Sequence, residues 1–490
     1  MIRYLIISAV VFFSIINNSL SVEYNFTLEE CIEFAKNKSP EAVIAKNNYL
    51  NNLYSYESFK AGYLPQLSLS GSGPGIFRAI DQITLDDGSI IYTQQNRSTA
   101  SMDMSISQRI ALTGGEFFIS SGISRIDIWG SRDDLFYRAT PMQISLSQPL
   151  FRHNDMGWQH KIRDLRNLNS KKKFTESIED LSINITDAFF NLYISEMNLA
   201  NARFNVEIND TLLALSQGRY SVGKIAENDL LQSELAATQS RIELERSEMN
   251  FAEAREQLKI SLGMNNDDVI NIIPETEAEF PAINVDIAIN KALENNSTIT
   301  DQNISKVEAE RNLQQARSNN NFTASLTASF GLNQSAGNLP EAYRELLDQE
   351  RLDLTFMVPL YTWGKGSAEI DAALANEEVV RTENEINRDQ FILNVKYQVL
   401  RFNQLQKQVI IAAKADTIAK KRFELARKRY MVGKIDLNSL FIAQRERDNA
   451  FQSYIQTLRS LKVAYYRLRR LTLFDFREER NIEHPVPGRF

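Results

Sequence analysis

Hydrophobic and polar residues alternate in several short stretches of this chain. Apolar residues occupy nearly every second position of residues 102–112 and 142–146, and again of residues 326–332 and 352–358, with small polar residues between them. A period of two with one polar face is typical of a half-buried β-strand. The pattern therefore predicts strands in two separate parts of the chain.

Much longer stretches carry a helical pattern, and the chain holds only 19 glycines and 11 prolines to interrupt them. The predicted helices span residues 27–62, 156–219, 229–262, 285–319, 365–429 and 437–471. The two longest have about 65 residues, so each reaches roughly 100 Å at about 1.5 Å per residue. A short turn at a Val-Gly-Lys sequence joins each of these two to the helix that follows it.

Both helices that follow these turns carry a narrow apolar seam with the three-four spacing of a coiled coil. The seam positions are Leu231, Leu235, Thr238, Ile242, Met249 and Ala252 in one helix and Phe451, Ile455, Leu458, Tyr465 and Leu468 in the other. Helices this long with narrow seams favour rods packed side by side over a compact ball. A cytosolic coiled-coil scaffold is the alternative, against which the strands and an export signal argue.

Sequence motifs recur in the two halves of the chain. RYSVGKI at residues 219–225 returns as RYMVGKI at residues 429–435, and QPLF at residues 148–151 returns as VPLY at residues 358–361, both offset by 210 positions. A looser pair, FAKNKSPE and ALENNSTI, is offset by 258 positions. Offsets that keep the same order indicate a tandem duplication whose first half holds about 48 additional residues.

The first residues and the duplication divide the chain. Arg3, an apolar run at residues 5–16 and small residues before Val22 predict a secretory signal peptide, with a membrane anchor as the alternative. The expected divisions are a signal peptide at 1–21, a first structural repeat at 22–263, a linker at 264–284, a second repeat at 285–472 and a C-terminal tail at 473–490.

The strands suit either a sheet on a soluble core or a barrel with lipid outside and water inside. Export, segments of roughly ten residues and aromatic residues near their ends favour the barrel. Those aromatic residues are Phe77, Trp129, Phe136, Tyr137, Phe151, Tyr361 and Trp363. One chain has too few strands to close a pore, and open strand edges cannot face lipid, so a ring of subunits is required.

Composition and motifs argue against several other classes of protein. A net charge of -7 disfavours a nucleic-acid partner. The three histidines, His153, His160 and His484, have no metal-binding spacing, and Gly364-Lys365-Gly366-Ser367 lacks the upstream glycine of a phosphate loop. The single cysteine, Cys31, lies on an apolar helical face and is expected to be inert. We therefore expect no enzyme, no catalytic residue, no cofactor and no metal.

The two RYxVGKI turns, the PLF and PLY strand exits and LPQLSLSGS at residues 64–72 together resemble the TolC-like outer-membrane efflux protein family. The resemblance covers nearly all of the chain beyond residue 22. It implies an α+β membrane protein, a homotrimer whose subunits share one transmembrane β-barrel, continued by a long α-helical coiled-coil tunnel in the periplasm. The implied partners are outer-membrane lipid, a periplasmic adaptor (membrane fusion) protein and an inner-membrane transporter.

The function that the resemblance implies is a channel-tunnel subunit of a tripartite efflux pump or a type I secretion system. Such a subunit is a passive conduit for small molecules or polypeptides, and the inner-membrane transporter drives it. The alternative is an exported periplasmic coiled-coil scaffold without a pore. A barrel trimer should sediment with outer membranes and resist mild detergent, whereas a scaffold should be removed by carbonate.

The additional residues of the first half depart from the family pattern of two strands per half. Residues 99–112 and 116–128 both alternate, and Thr113-Gly114-Gly115 between them favours a β-hairpin. We expect this hairpin to join the barrel and give six strands per chain; the alternative places it outside. Residues 81–97 and 337–350 are expected to be exterior loops, or else a plug in the lumen.

The VGK turns are expected to form the periplasmic tips, and the family docks its adaptor at such tips. The candidate docking residues are Arg219, Tyr220, Val222, Gly223, Lys224, Arg429, Tyr430, Val432, Gly433 and Lys434. The resemblance also implies a closed mouth, with candidate gate residues Asp229, Tyr430 and Asp436. Asp229 and Tyr430 match a hydrogen-bonded pair of the family. Ile435 stands where the family has an arginine, and Ser439 and Ile442 replace its two ring aspartates.

Overall fold

The structure is a computed structural model that describes residues 23–84, 87–130, 133–265, 267–273 and 280–485. The predicted signal peptide lies outside the described residues. Contacts divide the chain into two compact units, and each unit takes segments from both halves of the sequence. The sheet unit contains Asn48–Lys173 and Asn296–Phe391, and the helical unit contains Phe174–Asn295 and Ile392–Phe490 together with the segment that ends at Asn47.

The elements in chain order are β1 (Glu23–Phe26), α1 (Leu28–Lys38), α2 (Pro40–Ala61), β2 (Gln66–Thr84), β3 (Ile90–Ile110), β4 (Gly115–Trp129), β5 (Asp134–Leu150), α3 (Asp155–Ser221), α4 (Glu227–Leu262), β6 (Val269–Ile272), α5 (Val285–Asn295), α6 (Ser297–Asn319), β7 (Thr323–Ala336), β8 (Leu347–Met357), α7 (Lys365–Met431), α8 (Leu437–Thr472), β9 (Phe474–Asp475) and β10 (Arg480–Asn481).

Helices of equal length recur in the two halves. The long helices α3 and α7 have 67 residues each, and the return helices α4 and α8 have 36 each. Helix α7 begins and ends 210 positions after α3, and α8 begins and ends 210 positions after α4. The sequence motifs have the same offset. The starts of α1 and α5 are 257 positions apart, one fewer than the looser motif pair indicated.

The helices that precede the strands are each broken, although the sequence predicted one continuous helix in both places. Ser39 has an extended backbone between α1 and α2, and Pro40 begins α2. The residue before a proline is pushed out of the helical region, and its hydroxyl oxygen here accepts the Ala42 N–H at 3.0 Å. Asn296 likewise has an extended backbone between α5 and α6, and its side chain caps α6 by accepting the Thr298 N–H at 2.9 Å.

The main sheet has six strands in the order β2-β3-β4-β5-β7-β8, and every neighbouring pair is antiparallel. The additional hairpin of the first half is β3–β4, and it lies inside this sheet. Most of the expected exterior loop at residues 81–97 belongs to β2 and β3, and Gly88 before β3 has a left-handed conformation (φ 81°). The edges of the sheet are β2 and β8.

The helical unit has a separate core and two small sheets. β1 pairs with β6 in parallel, and β9 pairs with β10 in the segment expected to be a tail. Side chains that are almost completely buried here include Ile185, Phe189, Leu192, Phe402, Leu458 and Leu468. No helix in the described part of the chain combines the length and apolarity needed to cross a membrane.

Candidate channel surfaces

The six-stranded sheet presents one apolar face. Leu67 and Leu69 lie opposite Ile106 and Met104, and the register carries the same face across β4, β5 and β7 to Leu354 on β8. Directly paired residues share a face because the side chains of a strand alternate. Large exposed apolar residues on this face are Leu67, Leu69, Met102, Met104, Ile106, Met142, Phe330, Leu352, Leu354 and Phe356. Such a surface requires an apolar environment.

The opposite face of the sheet is polar. Its central residues are Ser68, Ser70, Ser101, Asp103, Ser105, Ser107, Ser120, Gln143, Ser145, Ser147, Thr327, Ser329, Arg351 and Asp353. Serine hydroxyls bridge neighbouring strands, with 2.9 Å between Ser68 and Ser105 and 3.0 Å between Ser72 and Ser101. A sheet with one lipid-like and one water-like face has the chemistry of a barrel wall.

Exposed aromatic rings gather where the strands lead into the helices. Phe151 follows β5, and its ring centroid lies 5.6 Å from that of Phe322 before β7. Tyr361 and Trp363 follow β8 with ring centroids 4.7 Å apart, and Trp363 is 87% exposed. Amphipathic rings of this kind suit the boundary between lipid and water. Phe77, expected near a strand end, instead lies inside β2.

The two VGK turns end the long helices with the same backbone geometry. Gly223 and Gly433 occupy the left-handed region, with φ of 70° and 73°. Each glycine N–H donates to the carbonyl three residues before it, and the following lysine N–H donates to the carbonyl five residues before it, all at 2.9 Å. This is a Schellman motif, in which a left-handed glycine lets the last carbonyls of a helix find donors.

Side chains on the two tips differ despite the shared sequence. The exposed members of the predicted docking set are Tyr220, Val222, Gly223, Lys224, Arg429, Val432, Gly433 and Lys434. Tyr220 is 43% exposed, but Tyr430 is only 4% exposed. Tyr430 packs in a cluster with Leu212, Phe423, Leu440 and Ala443. The guanidinium of Arg219 lies 5.2 Å from the centre of the Tyr430 ring, which ties the two tips together.

The candidate gate residues are not brought together within one chain. Asp229 is exposed, its carbonyl accepts the Ser233 hydroxyl at 3.0 Å, and among the described residues no hydrogen bond joins it to Tyr430. Asp436 caps the start of α8, where its carboxylate accepts the Ser439 N–H at 2.6 Å. This backbone hydrogen bond holds the pKa of Asp436 below its ordinary value. Asp436 therefore has a structural role at the tip.

A polar network behind the tips was not foreseen from the sequence. Arg447 on α8 donates to Asn205 on α3 at 3.1 Å and to Asp448 at 2.6 Å. Gln444 also donates to Asn205, at 2.7 Å, and the Arg447 guanidinium lies 4.4 Å from the centre of the Phe423 ring. No sequence motif marks these residues, because only the fold brings α3 and α8 together.

The two predicted coiled-coil seams differ in burial. On α8, Ile455 and Leu458 are 1% and 0% exposed. On α4, Leu235, Ile242 and Met249 are 58%, 63% and 67% exposed. The α8 seam is therefore covered by its own chain, whereas the α4 seam faces away from it.

A second exposed apolar stripe runs along α7 and was missed in the sequence. Ile411, Ile418, Leu425 and Val432 follow one another at seven-residue intervals and are 67%, 57%, 61% and 68% exposed. This spacing is that of one position of a heptad repeat, so counting heptads along α7 would have found it. The stripe ends at the tip, since Val432 is also a predicted docking residue.

Several solved structures have a similar fold. The CmeC outer membrane channel of Campylobacter jejuni is 15% identical, with a TM-score of 0.65 over 94% of this chain and 87% of that one. The outer membrane protein VceC of Vibrio cholerae is 13% identical, with a TM-score of 0.63 over 91% of this chain and 95% of that one. The open MtrE outer membrane channel of Neisseria gonorrhoeae is 15% identical, with a TM-score of 0.59 over 94% and 91%. At these identities the likeness shows the fold.

The sequence also matches a family directly. No curated protein matches it. Residues 119–264 and 288–472 match the family described as outer membrane efflux protein. The matched residues make up more than half of the chain, and the match confirms the predicted resemblance and the predicted outer-membrane location with a periplasmic helical region. The chain therefore belongs to the TolC-like outer membrane efflux protein family, whose members are channel proteins rather than enzymes.

Proposed function

We propose that the chain is one subunit of a homotrimeric channel-tunnel that carries efflux or type I secretion cargo out through the outer membrane. The observation that supports this most is the amphipathic six-stranded sheet, whose apolar face is exposed and whose edges β2 and β8 are open. Unpaired strand edges cannot face lipid, so neighbouring copies must cover them. The apolar face then meets lipid and the polar face lines the lumen.

The helices extend the conduit in the same proposal. The exposed α4 seam and the exposed α7 stripe are both narrow and apolar, which suits pairing between adjacent copies. Burying the exposed apolar side chains of this seam and this stripe favours assembly, at roughly 1.5–3 kcal/mol for each side chain that becomes fully covered. The unpaired helix surfaces thus agree with a ring of copies in the periplasm.

The tips are the proposed contact with an adaptor protein. Val222 and Val432 are exposed beside their glycines and supply small apolar knobs, with Lys224 and Lys434 next to them. In the proposal, an inner-membrane transporter supplies the energy, and docking opens the mouth. Asp229 and Tyr430 are not hydrogen-bonded within one chain, and in the proposal the link that closes the mouth joins Asp229 to a neighbouring copy.

Purified protein in a planar lipid bilayer tests the proposal. We expect stepwise single-channel currents, sedimentation of the cellular protein with outer membranes, and an assembly that survives mild detergent. Protein that is removed by carbonate and gives no current would instead support a periplasmic scaffold without a pore. Cross-linking through cysteines placed at Val222 and Val432, followed by identification of the captured proteins, tests the adaptor separately.

A further inference from the structure

We infer that the β3–β4 hairpin widens the shared barrel, so that every copy contributes six strands and three copies close a ring of eighteen. This inference rests on the proposed trimeric channel. It differs from the resembled family pattern, in which each chain supplies four strands. The second copy pairs its β2 edge with the β8 edge of the first.

The hairpin is an integral part of the sheet. β3 pairs with β2 from Gln66 to Thr84, and β4 pairs with β5 from Glu116 to Ile128. Within the described sheet β2 has β3 as its neighbour and does not reach β5. Removing the hairpin from the wall would therefore separate β2 from the rest of the sheet.

The hairpin also carries both surfaces of the wall. Met102 and Met104 on β3 are 56% and 48% exposed and continue the apolar face. On the other face Ser105 lies opposite Ser120. A hairpin in water outside the barrel would expose these methionines without any compensating contact, whereas in the wall they meet lipid.

A close approach on the polar face points to a water-filled lumen. A Cβ at position 122 of β4 would collide with the carboxylate of Asp103 on β3, so the glycine makes room for this charged group. Asp103 lies on the same face as Arg351 and Asp353 of β8. Charged side chains on this face need water, which a wide lumen supplies.

The two edges of the sheet are suited to each other. Gln66 at the start of β2 and Met357 at the end of β8 lie at the same end of the sheet, because all pairs are antiparallel and the number of strands is even. β8 of one copy therefore runs antiparallel to β2 of the next, with apolar faces on the same side. Such head-to-tail contacts generate a ring when the rotation closes.

The added strands change the size of the pore. Barrel diameter grows roughly linearly with strand number, and barrels of about 16–18 strands enclose an aqueous channel. An eighteen-stranded ring is thus about half again as wide as one of twelve strands. The outer-membrane part of this conduit would admit bulkier cargo than a barrel built from four strands per copy.

Deletion of the hairpin tests the inference directly. Removing residues 87–130 eliminates β3 and β4 and leaves a short connection between β2 and β5. In end-on electron microscopy images of the purified assembly, we expect the barrel of this variant to be about one third narrower than that of the intact chain. An unchanged barrel width would overturn the inference but leave the channel itself intact.

Cross-linking of the intact chain covers the case in which the deletion variant does not fold. Each test variant carries two cysteines at the edges of the sheet. One replaces Leu67 or Leu69 on β2, and the other replaces Leu352 or Leu354 on β8. We expect at least one pair to give covalently linked copies after oxidation. The matched control pairs Leu354→Cys with Met104→Cys, which lies opposite Leu69 on an interior strand and should not link copies. Leu69→Cys with Met104→Cys, on neighbouring strands, should instead link within one chain; edge links without this link, or links through the control alone, would overturn the inference. A protein that forms no ring of copies at all would instead contradict the proposed function.

Discussion

Helices α4 and α8 have the same length and equivalent positions in the two halves, yet the α8 seam is buried and the α4 seam is exposed. Where α4 has the exposed Ile242, α8 has Gln452, and where α8 has the buried Leu458, α4 has the exposed Glu248. Duplication has thus kept the backbone while the stripe has moved to another face of the helix. The α8 seam packs within its own chain, whereas the α4 seam stays exposed.

Polar contacts follow the same division. Arg469 on α8 donates to Glu179 of α3 at 2.9 and 3.1 Å and to Asp475 at 2.9 Å. Glu179 is completely buried and also lies 3.2 Å from a ring nitrogen of His484. The equivalent of Arg469 on α4 is Lys259, whose ammonium pairs locally with Glu256 at 3.0 Å. α8 is therefore fastened to α3 by buried charges, and this contrast can be tested.

The largest effect is expected from Arg469→Leu. Removing Arg469 leaves the buried Glu179 and Asp475 without their arginine partner, and breaking a buried ion pair in this way costs about 3–5 kcal/mol. We expect a clearly lower midpoint for denaturant unfolding and faster proteolysis. The matched control is Arg470→Leu, because Arg470 pairs with Asp180 at 3.1 Å on the surface, and such pairs contribute about 0–1 kcal/mol. Equal losses in both variants would contradict the special role of the buried network.

Leu458→Ala is expected to be nearly as damaging. Leu458 is 0% exposed, and truncating a buried leucine costs about 2–5 kcal/mol through lost burial and the remaining cavity. Glu248→Ala changes the equivalent position of α4, where the exposed side chain pairs with Arg203 at 3.5 Å and should contribute less than about 1 kcal/mol. The unfolding midpoints of the two variants measure how differently the two helices depend on this position. Similar midpoints would contradict the expected difference.

Substitutions on the exposed α4 seam should affect assembly more than folding. Replacing Ile242 and Met249 by alanine shortens two side chains that the single chain leaves exposed. We expect a lower fraction of detergent-resistant oligomer on gels, with secondary structure unchanged by circular dichroism. Gln452→Ala on α8 is the control and should leave the oligomer intact. An unchanged fraction of detergent-resistant oligomer in the double variant would show that the α4 seam does not contact a neighbouring copy.

A smaller effect is expected from acid. Burial alone would raise the pKa of Glu179, but hydrogen bonding to His484 and the charge of Arg469 hold it below the ordinary value. A lowered pKa stabilises the fold above the unfolded pKa of about 4.3, and this contribution is lost as the pH falls through the folded value. Unfolding midpoints between pH 6 and pH 3 should therefore fall less in Arg469→Leu than in the unchanged protein. Parallel curves would contradict the linkage.

Much of the fold could be predicted from local patterns. Both 67-residue helices, both return helices and the VGK turns lie within two residues of their predicted bounds, since periodicity and a left-handed glycine act over short distances. The breaks at Ser39 and Asn296 were missed because a single extended residue hardly disturbs an apolar period. The site was less predictable: Tyr220 and Tyr430 share one motif, yet only Tyr430 is buried.

By itself the sequence determined most of the helices and strands, where the chain turns back, which motifs recur in its two halves and which family it resembles. Only the tertiary structure decided which apolar stripes are covered, that β3 and β4 lie inside one six-stranded sheet, and that Glu179, Arg469 and Asp475 meet. The physical reason is one of range. Backbone preference and periodicity depend on neighbours along the chain. Burial depends on which distant segments pack against a surface, so equivalent helices of the same length can differ in which face is covered.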